Sequence, residues 1–435
     1  MLMSYILGMI VIYTNAMVGN RKTIIVLLIL IVCFGVGVYI YLNYIDQGDD
    51  QEILPPPITI TTNGHEDSPV RRLLTCGDGQ CVKGENVQSC PADCIAPIRP
   101  AQSPVIASVY LETENPLIFN GRDSSGHQDT QGDLWFSTWA NNDKLYMSWG
   151  DGSGFDSKEG TDLGIAEITG RLPNIKGTNI FFDPLVANPD CAGLNCKVPN
   201  EEKPTCCLSG DDKPSSLLYV NNKLYAQIHS PLGDSNVGYI AVSEDKGKTW
   251  TRYKENSPWT KRANSNFRSM FFINMGKNYN LNTDGYVYAY GIGKEWMWEG
   301  GVYLARVKKE DITNYNAYSY FSGMNGQAPI WSAKQNEAKP VQADLILDEQ
   351  FSVIYHPGIG RYLIMSQFLV YDSPTPWGPW TTAGTWVKDG WFGYQPGMIS
   401  KNMGDNSFWF TIAGQPPGHD ISYKLNLGKI VMELK

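Results

Sequence analysis

The chain has 435 residues, of which 42% are hydrophobic, 12% aromatic and 18% charged, and its formal net charge is -9. This hydrophobic content excludes an intrinsically disordered chain and suffices for one large globular domain with attached segments. Lysine and arginine form no long cluster, so the sequence offers no basic surface to a phosphate backbone and predicts no nucleic-acid partner.

An uncharged apolar run extends from Thr23 to Tyr44 and is long enough to cross a bilayer as one helix. Arg21 and Lys22 precede it and several acidic residues follow it, so the positive-inside bias places residues 1–22 in the cytoplasm. The sequence therefore predicts a single-pass membrane protein with a signal anchor at residues 23–44 and the remainder outside the cell. A cleaved signal peptide is the alternative, but no small-x-small cleavage site closes the run.

Two further features of the N-terminal part bear on its organisation. The residues before Met17 are either an over-long start or a membrane-bound extension of the anchor. Residues 45–75 are polar, with three consecutive prolines and a threonine-rich run, which predicts a stalk that holds the following domain away from the membrane.

A small cysteine-rich module is predicted at residues 76–94. It resembles modules of extracellular multidomain proteins, and the acidic residues on its turns are Asp78, Glu85 and Asp93. Hard oxygen ligands on tight turns suit calcium, which is the one cofactor that the sequence suggests. Acidic residues that only stabilise turns are the alternative, because the spacing is not that of an EF-hand loop.

Cysteine usage indicates an oxidising compartment. Of nine cysteines, Cys33 lies in the apolar run, and the eight that follow form two clusters of four. The clusters are Cys76, Cys81, Cys90 and Cys94, and Cys191, Cys196, Cys206 and Cys207. We predict two disulfides in each cluster.

From about residue 108 the chain has little helical periodicity, and short strands rich in Tyr, Trp, Val and Ile alternate with Gly, Asn and Asp turns. Five stretches share a form in which short strands surround a turn: 131–170, 214–253, 267–308, 349–383 and 393–432. Their spacing is typical of four-stranded propeller blades with insertions. The sequence therefore predicts an all-β domain at residues 96–435, folded as a five-bladed β-propeller. A two-sheet sandwich is the alternative, but it normally needs fewer residues.

The segment SEDKGKTW, from Ser243 to Trp250, fits the S-x-D-x-G-x-T-W pattern of the Asp-box in sialidase-type propellers. Asp245 and the Thr249 hydroxyl can hydrogen-bond the turn backbone, while Trp250 packs beneath the hairpin. We therefore interpret Asp245 as a structural residue.

Seven segments, in order from about residue 130 to 383, resemble a family of five-bladed propellers long known as a domain of unknown function, some of whose members are endo-D-arabinanases. They are GDLWFSTWANNDKLYMSWGDGSGF, KPSSLLYVNNKLYAQ, SEDKGKTW, MGKNYNLNTDGYVYAYG, GGVYLARVKKEDI with NAYSYFSG, FSVIYHPGIGRYLIM, and YDSPTPWGPWTT. The resemblance implies an active site at the mouth of the central channel and catalysis by two acids of the first blade, Asp133 and Asp151. The segment GTDLG imitates the first motif, so Asp162 is the acid favoured by a different alignment.

The spacing of the two acids also has a physical interpretation. If Asn141, Asn142 and Asp143 form the loop of an antiparallel hairpin, then Asp133 and Asp151 pair directly, or diagonally with a two-residue loop. Two close carboxylates oppose each other's ionisation, so one keeps a proton near neutrality while the other is charged, which is the division that glycoside hydrolysis needs. Which acid would donate the proton stays open, and a shared cation or a pair of structural turn acids are alternatives.

Further candidates for substrate contact surround these acids in the sequence. Trp135, Trp139 and Trp149 could stack on sugar rings, although propeller cores also use many tryptophans. The loop segment GKEWMWEGG supplies Glu295, Trp296 and Glu299, and His356 lies at the junction of a strand and a turn. No zinc-binding histidine pattern, serine-nucleophile elbow or phosphate-binding loop occurs, which disfavours those enzyme classes and predicts no metal ligand in the domain.

Together these features favour a membrane-anchored extracellular glycoside hydrolase whose partner is a polysaccharide, such as a furanoside of the arabinan type. A non-catalytic glycan-binding or adhesion propeller is the first alternative, and a structural component of the cell envelope is the second.

Overall fold

The computed structural model describes these residues: 9–18, 21–30, 39–45, 99–112, 117–118, 130–155, 160–182, 196–197, 212–230, 237–292, 300–347, 351–386, 392–415 and 424–435. The cysteine-rich module, with its predicted disulfides and calcium, lies outside the described residues. The chain divides into two compact units, Met1–Leu73 and Leu74–Lys435.

The first unit contains a three-stranded antiparallel sheet in the order β1-β2-β3, with strands β1 (Met9–Val18), β2 (Arg21–Leu30) and β3 (Tyr39–Ile45). Two of these strands take the place of the single helix predicted for residues 23–44. The composition gives a physical reason, because β-branched and aromatic residues favour strands and Gly35 and Gly37 weaken a helix. Within the described residues, no helix has both the length and the apolar character needed to cross a bilayer.

The second unit is all-β, as predicted, and contains three one-turn 3₁₀ helices among its described residues, at Lys277–Tyr279, Tyr315–Ala317 and Gln335–Glu337. Its first two strands, β4 (Ile106–Leu111) and β5 (Leu117–Ile118), pair with the last strand of the chain. The first of the predicted stretches forms a sheet in the order β10-β9-β8-β6, with β7 also paired to β8. Its strands are β6 (Gln131–Asp133), β7 (Ser137–Trp139), β8 (Leu145–Gly154), β9 (Gly164–Arg171) and β10 (Asn174–Phe182).

The second predicted stretch forms a sheet in the order β11-β15-β14-β13-β12. Its strands are β11 (Cys196–Lys197), β12 (Lys213–Val220), β13 (Lys223–Ser230), β14 (Val237–Ser243) and β15 (Trp250–Arg252). The antiparallel run from β12 to β15 follows chain order, because each short turn returns the chain beside the strand that it has just left.

The third and fourth stretches join in one nine-stranded sheet in the order β21-β20-β19-β17-β16-β23-β24-β25-β26, and β18 pairs with β22 separately. The third stretch, 267–308, contains β16 (Met270–Asn274), β17 (Tyr286–Gly291), β18 (Gly300–Gly301) and β19 (Tyr303–Lys308). Three further strands follow it outside the predicted bounds: β20 (Ser319–Asn325), β21 (Ala328–Ser332) and β22 (Ile346–Leu347). The strands of the fourth stretch are β23 (Ser352–His356), β24 (Arg361–Met365), β25 (Leu369–Ser373) and β26 (Thr381–Thr385). Only the β16–β23 contact is parallel in this sheet, so two antiparallel halves meet at their first strands.

The fifth stretch supplies β27 (Phe392–Ile399), β28 (Ser407–Gln415) and β29 (Leu425–Leu434), and the sheet order is β27-β28-β29-β4. The N-terminal strand β4 thus completes a sheet whose other three strands come from the C-terminus. The pairing runs from Ile430 with Leu111 to Leu434 with Ile106. Lys435 continues the contact by donating its backbone N–H to the oxygen of Val105 over 2.9 Å.

Neighbouring stretches are linked to one another in sequence around one cavity. The links are Tyr219 N to Thr138 Oγ1 (2.9 Å), Ser216 Oγ to Met270 O (2.7 Å), the parallel pairing of Ile273 with Val353, Met398 N to Ser352 Oγ (2.8 Å), and Thr411 Oγ1 to Trp135 O. The cavity has a volume of about 10 Å³, which is room for about one water molecule, and is lined from all five stretches, by residues that include Phe136, Ser216, Phe271, Val353 and Met398. Because the chain passes the cavity in the same direction in each stretch, residues a few positions before those that line the cavity lie toward one end of it.

The Asp-box has the hydrogen bonds that its sequence predicts. Oδ1 of Asp245 accepts from the backbone N–H groups of Lys248 (3.1 Å) and Thr249 (2.8 Å), and Oδ2 accepts from the Thr249 hydroxyl (2.7 Å). The indole of Trp250 is buried and donates to the oxygen of Gly247 over 3.0 Å. The carboxylate of Asp245 therefore closes the β14–β15 turn.

Asp245→Ala is expected to lower the free energy of unfolding by about 0.5–1.5 kcal/mol, toward the smaller value because the side chain is exposed. Although burial alone would raise the pKa of Asp245, hydrogen bonds from Thr249, Ser243 and Lys248 lower it. A lowered pKa in the folded state means that this stabilisation is present above the unfolded-state pKa and is lost as the pH falls through the folded-state pKa. Thermal unfolding of wild type and variant from neutral pH to pH 3 should show the two curves converging in acid, and a constant difference would contradict the assignment.

Candidate functional site

Four buried polar residues mark one end of the cavity. Each stands three positions before a residue that lines the cavity on the first strand of its stretch. They are Asp133 before Phe136, Lys213 before Ser216, Arg268 before Phe271 and Gln395 before Met398. Burying charged groups at one end of a cavity costs free energy unless they form ion pairs or hydrogen bonds with one another or with a ligand. This end of the cavity is therefore the candidate active site.

The hairpin that carries the predicted acid pair has the predicted three-residue loop. Trp139 pairs with Leu145, and the N–H of Ala140 donates to the oxygen of Lys144 over 3.0 Å. Toward the open end, however, the register shifts, and Asp133 pairs with Gly150 rather than with Asp151. The predicted direct opposition of Asp133 and Asp151 is therefore wrong by one residue.

The backbone explains this shift. Leu134 has φ 54° and Asp151 has φ 47°, so both adopt the left-handed conformation that residues other than glycine rarely adopt. These two residues interrupt the regular alternation of the hairpin on both strands, which a count of residues from the loop does not take into account. Asp151 is consequently more exposed, whereas Asp133 is 4% exposed.

Gly150 lies beneath the carboxylate of Asp133. A Cβ at this position would lie 2.6 Å from Oδ1 of Asp133 and 3.4 Å from the backbone oxygen of Asp162. No side chain fits in that space, so a glycine at position 150 lets the Asp133 carboxylate and the Asp162 backbone approach the same point. Asp133 is therefore placed beside the segment that carries the other two acids.

Asp151 is opposed by Asp162 and not by Asp133. Gly152 and Thr161 exchange backbone hydrogen bonds of 3.0 and 2.8 Å, which sets the two acids at directly opposite positions next to that pair. Two like charges at opposed positions repel each other. The ammonium group of Lys213, from the neighbouring sheet, relieves this repulsion by forming ion pairs with Asp151 and, at 2.8 Å, with Asp162.

The pKa values of Asp151 and Lys213 are both raised above their ordinary values. The side chain of Asp151 is 38% exposed, and the burial of its remaining part raises its pKa, Lys213 lowers it, and the neighbouring carboxyl of Asp162 raises it further. Burial alone would lower the pKa of Lys213, but its contacts with the two carboxylates raise it above its ordinary value. Asp151 therefore holds a proton more readily than an isolated aspartate, next to a lysine that stays charged.

A second layer of polar groups supports Lys213. His229 pairs with Lys213 across β12 and β13, and its Nδ1 lies 2.7 Å from the hydroxyl of Ser215. Burial, with smaller contributions from Lys213 and Arg268, lowers the pKa of His229 to about 3, so its imidazole is neutral at physiological pH. Gln227 donates to the backbone oxygen of Arg268 over 2.8 Å and ties this layer to the third stretch.

Two of the predicted aromatic contacts, Trp135 and Trp149, are not available to a sugar in this structure. Trp135 and Trp149 are both 0% exposed, and their indoles donate to the oxygens of Gly132 (2.8 Å) and Gly152 (3.0 Å). Both residues pack in the core of the first sheet, because a propeller-like hairpin needs large apolar groups beneath it. The interpretation of these residues as stacking platforms is therefore corrected to core packing.

Two other candidates lie at the opposite end of their strands. Trp139 is the last residue of β7, six residues beyond Asp133, and contacts Asp143, Lys277 and Lys401 at the hairpin loops. His356 ends β23, is 0% exposed, and its Nε2 lies 3.1 Å from the backbone oxygen of Ser407. Neither residue is placed to contact a substrate at the candidate site.

The remaining predicted contacts, Glu295, Trp296 and Glu299, lie outside the described residues. Within the described residues, no group of three or more His, Cys, Asp or Glu side chains is arranged to hold a metal ion. Lys213, Arg268, His229 and Gln395 were not predicted from the sequence. The signal that could have found Lys213, Arg268 and Gln395 is their spacing, since each stands three positions before a residue that lines the cavity, as Asp133 does.

Comparison with known proteins adds a family similarity. Residues 212–410 match the family model described as Domain of unknown function (DUF4185). The matched region includes Lys213, Arg268 and Gln395 but begins after the hairpin that carries Asp133 and Asp151. A search of curated proteins found no match.

Several solved structures resemble this chain. A putative hydrolase from Bacteroides ovatus aligns at 13% identity and TM-score 0.44 and covers 74% of this chain and 90% of its own. An α-L-arabinofuranosidase from Podospora anserina, in complex with cellotriose, aligns at 12% identity and TM-score 0.40, with coverages of 77% and 98%. A GH43_1 enzyme from Xanthomonas citri, complexed with xylose, aligns at 12% identity and TM-score 0.42, with coverages of 70% and 87%. Identity and TM-score are low in all three, so they do not assign an activity to this chain.

Proposed function

We propose that this protein is a glycoside hydrolase with a five-bladed β-propeller domain, and that it cleaves a polysaccharide at the end of the cavity where Asp133 and Asp151 lie. The observation that carries the proposal is the combination of a buried Asp133 with Asp151, whose pKa is raised, on either side of Gly150. The raised pKa of Asp151 favours its protonated form, which supports a reaction that needs a proton donor beside a second carboxyl group.

In the proposed reaction, Asp151 donates its proton to the glycosidic oxygen as the bond from that oxygen to the anomeric carbon breaks. Asp133, as carboxylate, either removes a proton from the attacking water or first bonds to the anomeric carbon and is released by water. In both cases one water is consumed and its oxygen ends on the anomeric carbon. If Asp133 removes the proton from water, it returns that proton to Asp151 through solvent; if Asp133 bonds to the anomeric carbon, Asp151 takes the proton directly from the attacking water. Backbone strain at Leu134 and Asp151 is consistent with a site whose geometry is set by function.

The substrate class that we propose is a furanoside polymer such as arabinan, which follows from the sequence resemblance described above. The site is consistent with an extended polymer, because Asp151 is exposed at the end of the cavity and not enclosed within it. Attachment to a membrane through the N-terminal segment is a further part of the proposal, and fractionation of cells followed by detergent extraction tests it.

The direct test is incubation of the full-length protein with a panel of polysaccharides that includes arabinans, arabinoxylan and acidic glycans. We expect oligosaccharides to be released from one class, detected by chromatography and by new reducing ends. Saturable binding without any product would overturn the hydrolase and support the alternative of a glycan-binding or adhesion domain. Absence of both binding and product would favour a structural component of the envelope.

A further inference from the structure

Lys213 is an unusual feature of the site because it is a lysine that is only 7% exposed at the start of a buried strand with no other charged residue. Lysine is almost never buried unless it is paired, since removing its ammonium from water costs several kcal/mol. Its Nζ pairs with Asp151 and lies 2.8 Å from Oδ1 of Asp162. These two carboxylates belong to the sheet of the first stretch, whereas Lys213 belongs to that of the second.

The charged groups around Lys213 determine which carboxylates its ammonium group can pair with. On its own sheet, His229 is neutral and Asp212 is held by the Tyr239 hydroxyl (2.6 Å) and by Lys254 (3.6 Å). The third stretch contributes the positive charge of Arg268, which acts on His229.

On the facing sheet stand Asp151, Asp162 and, across Gly150, Asp133. The cluster formed by Asp151, Asp162 and Lys213 carries two acids and one cation. Its neutral form therefore contains one proton more than its fully ionised form.

We propose that Lys213 is a positioning residue that holds the carboxyl groups of Asp151 and Asp162 together at the end of the cavity, so that the three groups share one proton that Asp151 delivers to the substrate. This inference rests on the proposed function, in which Asp151 is the proton donor. When the proton has left, the ammonium of Lys213 stabilises the new carboxylate over a direct contact, which lowers the free energy of the charged state that follows bond cleavage. Asp162 opposes this effect through its own negative charge.

Removing Lys213 and removing the charge of Asp162 should therefore shift the pKa of Asp151 in opposite directions. In Lys213→Met the carboxylates lose their cation, so the alkaline limb of the kcat/KM pH profile is expected to move upward by about 1–3 pH units. In Asp162→Asn the like charge is lost, so the same limb is expected to move downward. Lys213→Arg keeps the positive charge and is expected to keep the limb close to its wild-type position.

The experiment measures pH profiles of the full-length wild type and these three variants on the polysaccharide that the panel identifies, together with thermal unfolding as a check of folding. If Lys213 only packs, Lys213→Met lowers the rate or the melting temperature without moving the limb, and the inference is overturned. If Lys213→Met does not fold, the Asp162→Asn and Lys213→Arg profiles decide, because the inference requires a downward shift in the first and little shift in the second.

A readout that does not depend on activity separates this inference from the proposed function. The carboxyl carbon of Asp151 can be followed by NMR in protein labelled with ¹³C-aspartate, with Asp151→Asn used to assign the resonance. Titration midpoints that shift upward in Lys213→Met and downward in Asp162→Asn support the shared proton even if no glycan is cleaved. Hydrolysis by the wild type with unshifted midpoints in both variants would overturn the role of Lys213 and leave the hydrolase intact.

Discussion

Asp133→Asn and Asp151→Asn are each expected to lower kcat/KM by about 10²–10⁴-fold, because each removes one partner of the acid and base pair. The amide at position 151 cannot donate a proton to the glycosidic oxygen, and the amide at position 133 can neither attack nor accept a proton. The rates are measured on the polysaccharide that the wild type cleaves. The folding of each variant is checked by thermal unfolding, since Asp133 is buried.

The leaving group separates the two roles. On an aryl glycoside whose phenol leaves without protonation, Asp151→Asn should recover much of its rate, whereas Asp133→Asn should stay impaired. Glu310→Gln is a matched control, because Glu310 is exposed and follows β19 at the end of the domain away from the acids. Unchanged rates in both aspartate variants would sink the assignment of the catalytic pair.

Trp135→Ala is expected to lower the free energy of unfolding by about 3–5 kcal/mol, the usual cost of truncating a fully buried tryptophan. The side chain is 0% exposed, its ring meets Phe155 edge to face with centroids 5.5 Å apart, and its indole donates to Gly132. Removal leaves a cavity and an unsatisfied carbonyl next to Asp133, so activity should fall as a secondary effect. Denaturant unfolding followed by fluorescence or circular dichroism measures the loss.

Trp139→Ala is the matched control for this prediction. Trp139 is only partly buried and lies among Asp143, Lys277 and Lys401, so its truncation should cost clearly less stability. A sugar-stacking role for Trp135 would give the opposite pattern, a raised KM with unchanged stability. That result would contradict the packing assignment.

Features set by local chemistry were predictable from the sequence. The domain is all-β as predicted, the loop of Asn141, Asn142 and Asp143 closes the first hairpin, and Asp245 makes the predicted turn contacts. In each case the information lies in residues a few positions apart, such as an Asn-Asn-Asp turn or an Asp-box. Side-chain chemistry of that kind acts on its own backbone before any tertiary contact forms.

Features set by distant contacts were not predictable. Asp133 pairs with Gly150 because residues 134 and 151 adopt a left-handed backbone conformation. Leucine rarely adopts that conformation, so the sequence gives no reason to expect it at position 134. Lys213 meets Asp151 and Asp162 only because two sheets pack side by side, 62 and 51 residues apart in the chain. The sequence does not distinguish tryptophans that stack on a sugar from tryptophans that pack in the hydrophobic core. Their burial in the structure does.

The same distinction applies to the apolar N-terminal segment. Its hydrophobicity and length predict a spanning helix, whereas its isoleucines, valines and tyrosines also suit the strands β2 and β3. A continuous apolar run has no alternation that separates the two structures, so periodicity alone does not decide between them.

The pairing of β4 with β29 has a consequence for biosynthesis. Ile106 is synthesised more than three hundred residues before its partner Leu434, so this sheet cannot be completed until β29 has been made. Until then β4 lacks the strand β29 to which it is hydrogen-bonded, and joining such distant segments carries a loop-closure cost and slows folding. The nascent chain therefore has to keep this unpaired edge from associating with other chains, and loss of β29 would leave the edge exposed.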